Sequence, residues 1–199
     1  MGDVSIQIDD SDVKRKLKKL KNVQNGAPKA MMRALNRTVT GMKTDAGKAV
    51  AGNYIVKQKD VKEKLVTEKA SMGDLSITLR STGRPMRMVK FKTKANRRPG
   101  KKGGATVFAK VAKGGPGGHT GAFMATMANG VSGAFVRTGN FQTAGKGRYK
   151  GQEKEMIRQL HGPGVVQMLD NKITREAVQT KATERFYKEL DHQVDYLLK

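Results

Sequence analysis

Near the start of the chain, Met31, Leu35, Val39, Met42, Ala46 and Ala49 recur in steps of four, four, three, four and three. That spacing gathers all of them on one side of a 3.6-residue repeat, and the period-two geometry of a strand cannot do so. It predicts an amphipathic helix over about 28 to 51, roughly six turns long. Pro28 suits the first turn, where its missing N–H is not needed. Gly52-Asn53 ends the helix, and Gly41 and Gly47 inside it would let a neighbour approach closely. The same spacing returns at the far end of the chain. There Ala182, Phe186, Leu190, Val194 and Leu198 stripe a helix predicted over about 172 to 198. Each stripe needs something to cover it, and the expected cover is a sheet, which Leu35 and Val39 would face from the first long helix.

The rest of the chain changes period twice. Val4, Ile6 and Ile8 alternate with polar residues, as in a short half-buried strand. Asp10-Ser11-Asp12 offers caps for a first helix carrying Val13, Leu17 and Leu20, with Asn25-Gly26 as its stop. A short helix is expected from near Asp60, with Val61, Leu65 and Val66. From Thr67 the period becomes two. Leu75, Ile77 and Leu79 alternate with Ser76, Thr78 and Arg80 in one predicted strand. Arg87 to Thr93, with Val89 and Phe91 on one face, predicts another. Thr106 to Val111 predicts a third, with Val107, Ala109 and Val111 inward. Asn129-Gly130 between the apolar runs Ala122–Ala128 and Val131–Thr138 is a strong hairpin signal. Lys94 to Gly104, Gly114 to Gly118 and Gly139 to Gly151 read as glycine-rich loops.

These readings give an α+β chain: a mainly antiparallel sheet, long N-terminal and C-terminal helices packed on it, and long basic Gly-rich loops. Val, Leu, Ile and Phe make about a fifth of the residues, close to the lower limit for a packed core. The 11 Met compensate in part, since Met fills irregular gaps. One domain spanning residues 1–199 is expected. Within it, 1–66 would hold the N-terminal strand and helices, 67–161 the sheet with its loops, and 162–199 a turn and the last helix. Three long loops are many for one compact domain, and such loops often order against neighbours, so a homo-oligomeric ring is a natural setting.

Charge is distributed unevenly. Between Asp74 and Glu153 there is no carboxylate, yet the stretch holds sixteen Lys and Arg. The other 24 basic residues share the rest of the chain with all 17 carboxylates. Arg97, Arg98, Lys101 and Lys102 cluster on the first loop, and Lys146, Arg148 and Lys150 on the third. Clustered cations without internal partners suit a polyanion such as DNA, contacted non-specifically through phosphate, and they equally suit an acidic protein neighbour. Base-specific readout is not expected, because no helix-turn-helix, zinc finger or paired aromatic signature is present.

A more specific signal lies in Met156 to Leu169, MIRQLHGPGVVQML. Pro163 fixes φ and has no N–H for a ladder, so a turn is expected at Gly162-Pro163-Gly164, handing a strand at Met156–His161 over to the C-terminal helix. The pattern apolar-x-x-Leu-His-Gly-Pro-small-Val-x-Gln-Met-Leu, carried by Ile157 to Leu169, resembles the minor tail protein Z (tail-completion) family of lambda-like phages. The order of segments elsewhere also fits, and the specific part spans about Gly133 to Leu169. The resemblance implies a structural virion protein at the head-proximal end of a long non-contractile tail, made in the host cytoplasm. It would act late, in tail completion and head-tail joining, beside a tail terminator and head-tail connector. Its loop tips and Gly162-Pro163-Gly164 would then be assembly contacts. The very basic loop at Arg97 to Lys102 departs from the family pattern. A non-specific DNA-binding protein and a terminator-type tail component are the alternatives.

Catalysis is not expected. His119, His161 and His192 have no metal-ligand spacing, and no Cys is present. His161 beside Gly-Pro reads as a turn or packing residue. Gly114 to Gly121 lacks the Lys-Ser/Thr of a phosphate loop, and the central region has no carboxylate to orient a general base. No catalytic, cofactor-binding or metal-binding residue is assigned, and no cofactor is implied. No run of apolar residues is long enough to span a membrane.

Overall fold

The computed structural model of the chain describes residues 10–81, 83–95, 106–115, 117–148 and 150–199. The expected strand at Val4–Ile8 lies outside the described residues. The chain is α+β and divides into two compact units. A helical unit takes the residues up to Asn53, then Gln58–Arg84 and Gly164–Lys199, and a sheet unit takes Tyr54–Lys57 and Pro85–Pro163.

In the helical unit, α1 (Asp10–Leu17) runs into a 3-10 turn at Lys18–Leu20, followed by α2 (Gly26–Asn53) and α3 (Gln58–Lys62). Helix α1 starts at Asp10 itself, so Asp12 sits in the first turn and does not precede it. There it favours the positive end of the helix dipole and pairs with Arg15 and Lys16. Asn25, not Gly26, takes the left-handed conformation between the helices, at φ 54°. Gly26 already belongs to α2, where an added Cβ would stand 2.8 Å from Val23. Strands β1 (Leu65–Glu68) and β2 (Thr78–Ser81) pair antiparallel, Leu65 opposite Ser81 and Glu68 opposite Thr78. The chain returns late for α4 (Val165–Asp170) and α5 (Lys172–Leu197).

The core of this unit is helix on helix. Ala30, Ala34 and Leu35 of α2 cluster with Phe186, Leu190 and Val194 of α5, together with Val13 and Leu20. The small residues at 30 and 34 give α5 its close approach. Leu35 was expected to face a sheet, and its partners are instead the stripe of the last helix. Val39, Met42, Ala46 and Val50 continue the buried face of α2, while Met31 and Ala49 are half-buried. Leu198, assigned to the α5 stripe, lies beyond the helix end and is exposed.

Two further expectations change here. Leu65 and Val66 belong to β1, not to a helix, because α3 stops at Lys62 and the β-branched run that follows pairs with β2. The strand expected from Leu75 is regular only from Thr78. Upstream, local bonds capture the backbone: Ser71 N–H donates to Asp74 O, Asp74 N–H to Ser71 Oγ, and Ser76 N–H to Asp74 Oδ1. Such bonds compete with a ladder. Asn36 holds the same segment by accepting from Ala70 N–H at 2.8 Å and donating to Ala70 O at 3.0 Å.

The sheet unit contains no α-helix among its described residues. It begins with β3 (Pro85–Arg87), a 3-10 turn at Met88–Lys90, and β4 (Lys92–Ala95). The continuous strand expected over Arg87–Thr93 is broken by that turn. Met88 and Phe91, three apart, are both buried, and Thr93 Oγ1 donates to the carbonyls of both. Strands β5 (Thr106–Lys110) and β6 (Gly118–Thr120) complete a three-stranded antiparallel sheet in the order β4-β5-β6. Val107 and Ala109 are buried as expected, and Val111 is half-buried beyond the strand end.

A second three-stranded antiparallel sheet runs β7 (Ala122–Thr126), β8 (Ser132–Thr143), β9 (Glu153–Gln159). The Asn129-Gly130 hairpin joins β7 to β8, with Gly130 at φ 77°. The loop expected from Gly139 begins later, because β8 continues through Thr143. Gly139, at φ 75°, supplies a bulge where the register shifts between Arg137 and Phe141. Finally β10 (His161–Gly164) pairs with β3. The architecture thus has four small sheets among the described residues, where a single sheet was expected.

Candidate functional site

Three of the candidate basic residues share one loop. Beyond the bulge, β8 and β9 form an arm whose described residues are mostly exposed, closed by Ala144 N–H donating to Gln152 O and Gly151 N–H donating to Ala144 O. Lys146, Arg148 and Lys150 are exposed at its tip. The arm also exposes Phe141, Met156 and Ile157. Its inner end is tied by Arg137 to Glu155 at 3.1 Å, by Gly139 N–H donating to Glu155 Oε1, and by Thr138 Oγ1 donating to Met156 O. Arg97, Arg98, Lys101 and Lys102 lie outside the described residues.

Gly162-Pro163-Gly164 hands a strand over to helix as expected, but its residues are strand and not turn. All three belong to β10, which Pro163 can join because it lies near the end of a short two-stranded pairing. Gly162 is needed for close approach: an added Cβ would stand 2.5 Å from the Phe91 ring. The handover to helix falls at Gly164, whose N–H donates to Gln167 Oε1 at 3.0 Å, and α4 starts at Val165. Gly162 and Pro163 are half-buried and Gly164 is buried. His161 Nδ1 lies 3.1 Å from Gln159 O, in keeping with a turn or packing role.

The charge of the sheet unit is extreme. Its stretches of sequence hold 17 Lys and Arg against two carboxylates, Glu153 and Glu155. The pairing of β4 with β5 sets some of these cations side by side. Lys92 stands directly opposite Lys110, and Lys94 directly opposite Phe108. Val107 and Ala109 point to the buried side of β5, so Phe108 and Lys110 point away from it, and Lys92 and Lys94 are exposed with them. Sequence reasoning missed Phe108, although its signal was present. A residue between two inward-facing positions of a strand faces outward.

The sequence profile described as prophage minor tail protein Z (GPZ) matches residues 12–199. The chain belongs to this family. Its membership makes the chain a minor tail protein with a structural role in the phage virion, where it meets other tail components. No curated protein and no solved structure matches it. The arm and the basic β4–β5 face are exposed surfaces of the sheet unit. Among the described residues no helix is long and apolar enough to cross a membrane.

Proposed function

We propose that this Z-family protein completes the tail at its head-proximal end and helps join it to the filled head, as a homo-oligomeric ring in the neck. The two units serve one tail-completion function. The observation that carries the reading beyond family membership is the segregation of charge, with 17 basic residues against two acidic ones in the sheet unit. A protein at the junction of head and tail meets the DNA end, and a surface of this charge suits phosphate without reading sequence. Arg97, Arg98, Lys101 and Lys102 contribute four of these charges. The β8–β9 arm, with Phe141, Met156 and Ile157 exposed among charged residues, suits a protein neighbour in the ring, a terminator or a connector.

Two experiments test this reading. Loss of the protein should leave filled heads and tails of normal length but few infectious particles. Tails of abnormal length would point to a terminator role instead. For the DNA contact, replacing Arg97, Arg98, Lys101 and Lys102 by Gln should flatten the slope of log affinity against log salt by about 3.6 on duplex DNA. An unchanged slope together with failed incorporation into tails would assign that loop to an acidic protein neighbour.

A further inference from the structure

The β4–β5 ladder makes an unusual choice on its exposed side. Lys92 opposite Lys110 sets two like charges at directly paired positions, an arrangement that destabilises a sheet when nothing neutralises it. Neither lysine makes an ion pair among the described residues, and Lys94 makes none either. Of the two carboxylates on this unit, Glu155 is already engaged by Arg137. Beside them Phe108 leaves 51% of its surface in water. On its other flank the paired residue is Gly118, which contributes no side chain to cover the ring. A polar residue at 108 and a carboxylate at 92 or 110 would fold better alone, so the face is composed for something that supplies negative charge and a flat apolar surface together.

We propose that this face binds single-stranded DNA, with a base stacked on Phe108 and phosphates held by Lys92, Lys94 and Lys110. The inference rests on the DNA contact proposed above and names its chemistry. Residues 92 and 94 lie about 6.8 Å apart along an antiparallel strand, a spacing that can follow successive phosphates of an extended chain. A base offers its ring face only when unstacked, as in a single strand or a frayed end, whereas the bases of an intact duplex cover one another. An acidic peptide would satisfy the lysines but would gain little from a lone ring on an open sheet. Stacking on an exposed aromatic flanked by cations is how proteins hold single strands without sequence preference.

The test uses the full-length protein, a labelled oligothymidylate, and a sealed dumbbell duplex with no free ends and the same number of phosphates. Phe108→Ala should lower affinity for the oligothymidylate about five- to hundred-fold and leave the dumbbell unaffected. Phe108→Trp should retain the single-strand affinity. Because the ring touches no phosphate, the salt slope of Phe108→Ala should match wild type. The triple change Lys92→Gln, Lys94→Gln, Lys110→Gln should flatten the single-strand slope by about 2. Phe108 is exposed, so thermal unfolding of Phe108→Ala should follow wild type. If wild type and Phe108→Ala bind the oligothymidylate equally while both bind the dumbbell, the basic unit meets DNA but not through this ring, and the inference fails alone. If wild type binds neither probe, the DNA contact itself fails and this inference with it.

Discussion

Lys16, Arg37 and Arg185 of the helical unit each lie within 3.2 Å of a carboxylate on another helix: Asp191, Glu189 and Asp45. In the sheet unit, Lys92, Lys94 and Lys110 share one exposed face with no carboxylate across the ladder. The apolar residues divide in the same way. Of the 29 buried apolar residues among those described, 21 belong to the helical unit, so core energy is concentrated there. One unit uses its charged groups to fix its own helices. On the β4–β5 face of the other, Lys92, Lys94 and Lys110 make no ion pair among the described residues. The same kind of side chain is therefore a stability element between the helices and, on the face proposed to bind DNA, would be a recognition element.

The largest expected effect tests where the core lies. Phe186 is fully buried between helices, so Phe186→Ala should cost about 3–5 kcal/mol in chemical denaturation. Phe141, 64% exposed on the arm, should cost far less when truncated. Equal losses at the two sites would erase the distinction between the units.

Next comes the buried end of a helix–helix pair. Asp45 is buried and accepts from Arg185 Nη2 at 2.7 Å, and the Arg185 side chain occupies the space where a side chain on Gly41 would be. Arg185→Ala would strand the carboxylate and should cost about 1–3 kcal/mol. Gly41→Ala should lower stability in the same direction by displacing the guanidinium. An Arg185→Ala protein as stable as wild type would show that this contact does not hold the helices.

A smaller effect should appear in the pH dependence. Burial alone would lower the pKa of Lys16, but the hydrogen bond and charge of Asp191, helped by Asp12, raise it above the ordinary value. A raised folded-state pKa means that folding favours the charged form. The contribution is therefore full below about pH 10.5 and fades as pH climbs through the folded value. Lys16→Met should lower the melting temperature at neutral pH, and its deficit should shrink in strongly alkaline solution. A deficit independent of pH would mean that the apolar stem of Lys16, and not its charge, sets the effect.

The smallest effect belongs to the sheet unit. Arg137 is largely exposed in its pair with Glu155, so Arg137→Ala should shift stability by no more than about 1 kcal/mol. A larger loss would show that the arm depends on its charges as the helices do.

Much of the helical unit was legible because periodicity names a face. The stripe from Leu35 to Ala46 and the stripe from Ala182 to Val194 are buried as read. Periodicity does not name the partner, and so the meeting of these two stripes with each other was missed. Where the local pattern failed, a local bond had won. The Ser71–Asp74 turn replaced the start of one strand, and the Met88–Phe91 turn interrupted another. Proline at 163 was read as ending the pairing, yet a short strand can close on it. For the candidate site, exposure of Lys146, Arg148 and Lys150 followed from glycine-rich composition. The opposition of Lys92 to Lys110 and the position of Phe108 beside Lys94 depend on strand register, which composition does not encode.

The helical unit is discontinuous in sequence, and that dictates an order of events at the ribosome. Helix α2 emerges early, but the helix that covers it, α5, is made only after the whole sheet unit has been translated. Until then Leu35 and its neighbours have no α5 to bury them, while the strands of the sheet unit find partners nearer in sequence. The nascent chain can therefore mature from the middle outward, and its main core closes last. Closing so long a loop late is slow relative to local pairing. A ribosome stalled before Lys172 would release a chain with its longest apolar stripe uncovered, a natural substrate for chaperones or proteases.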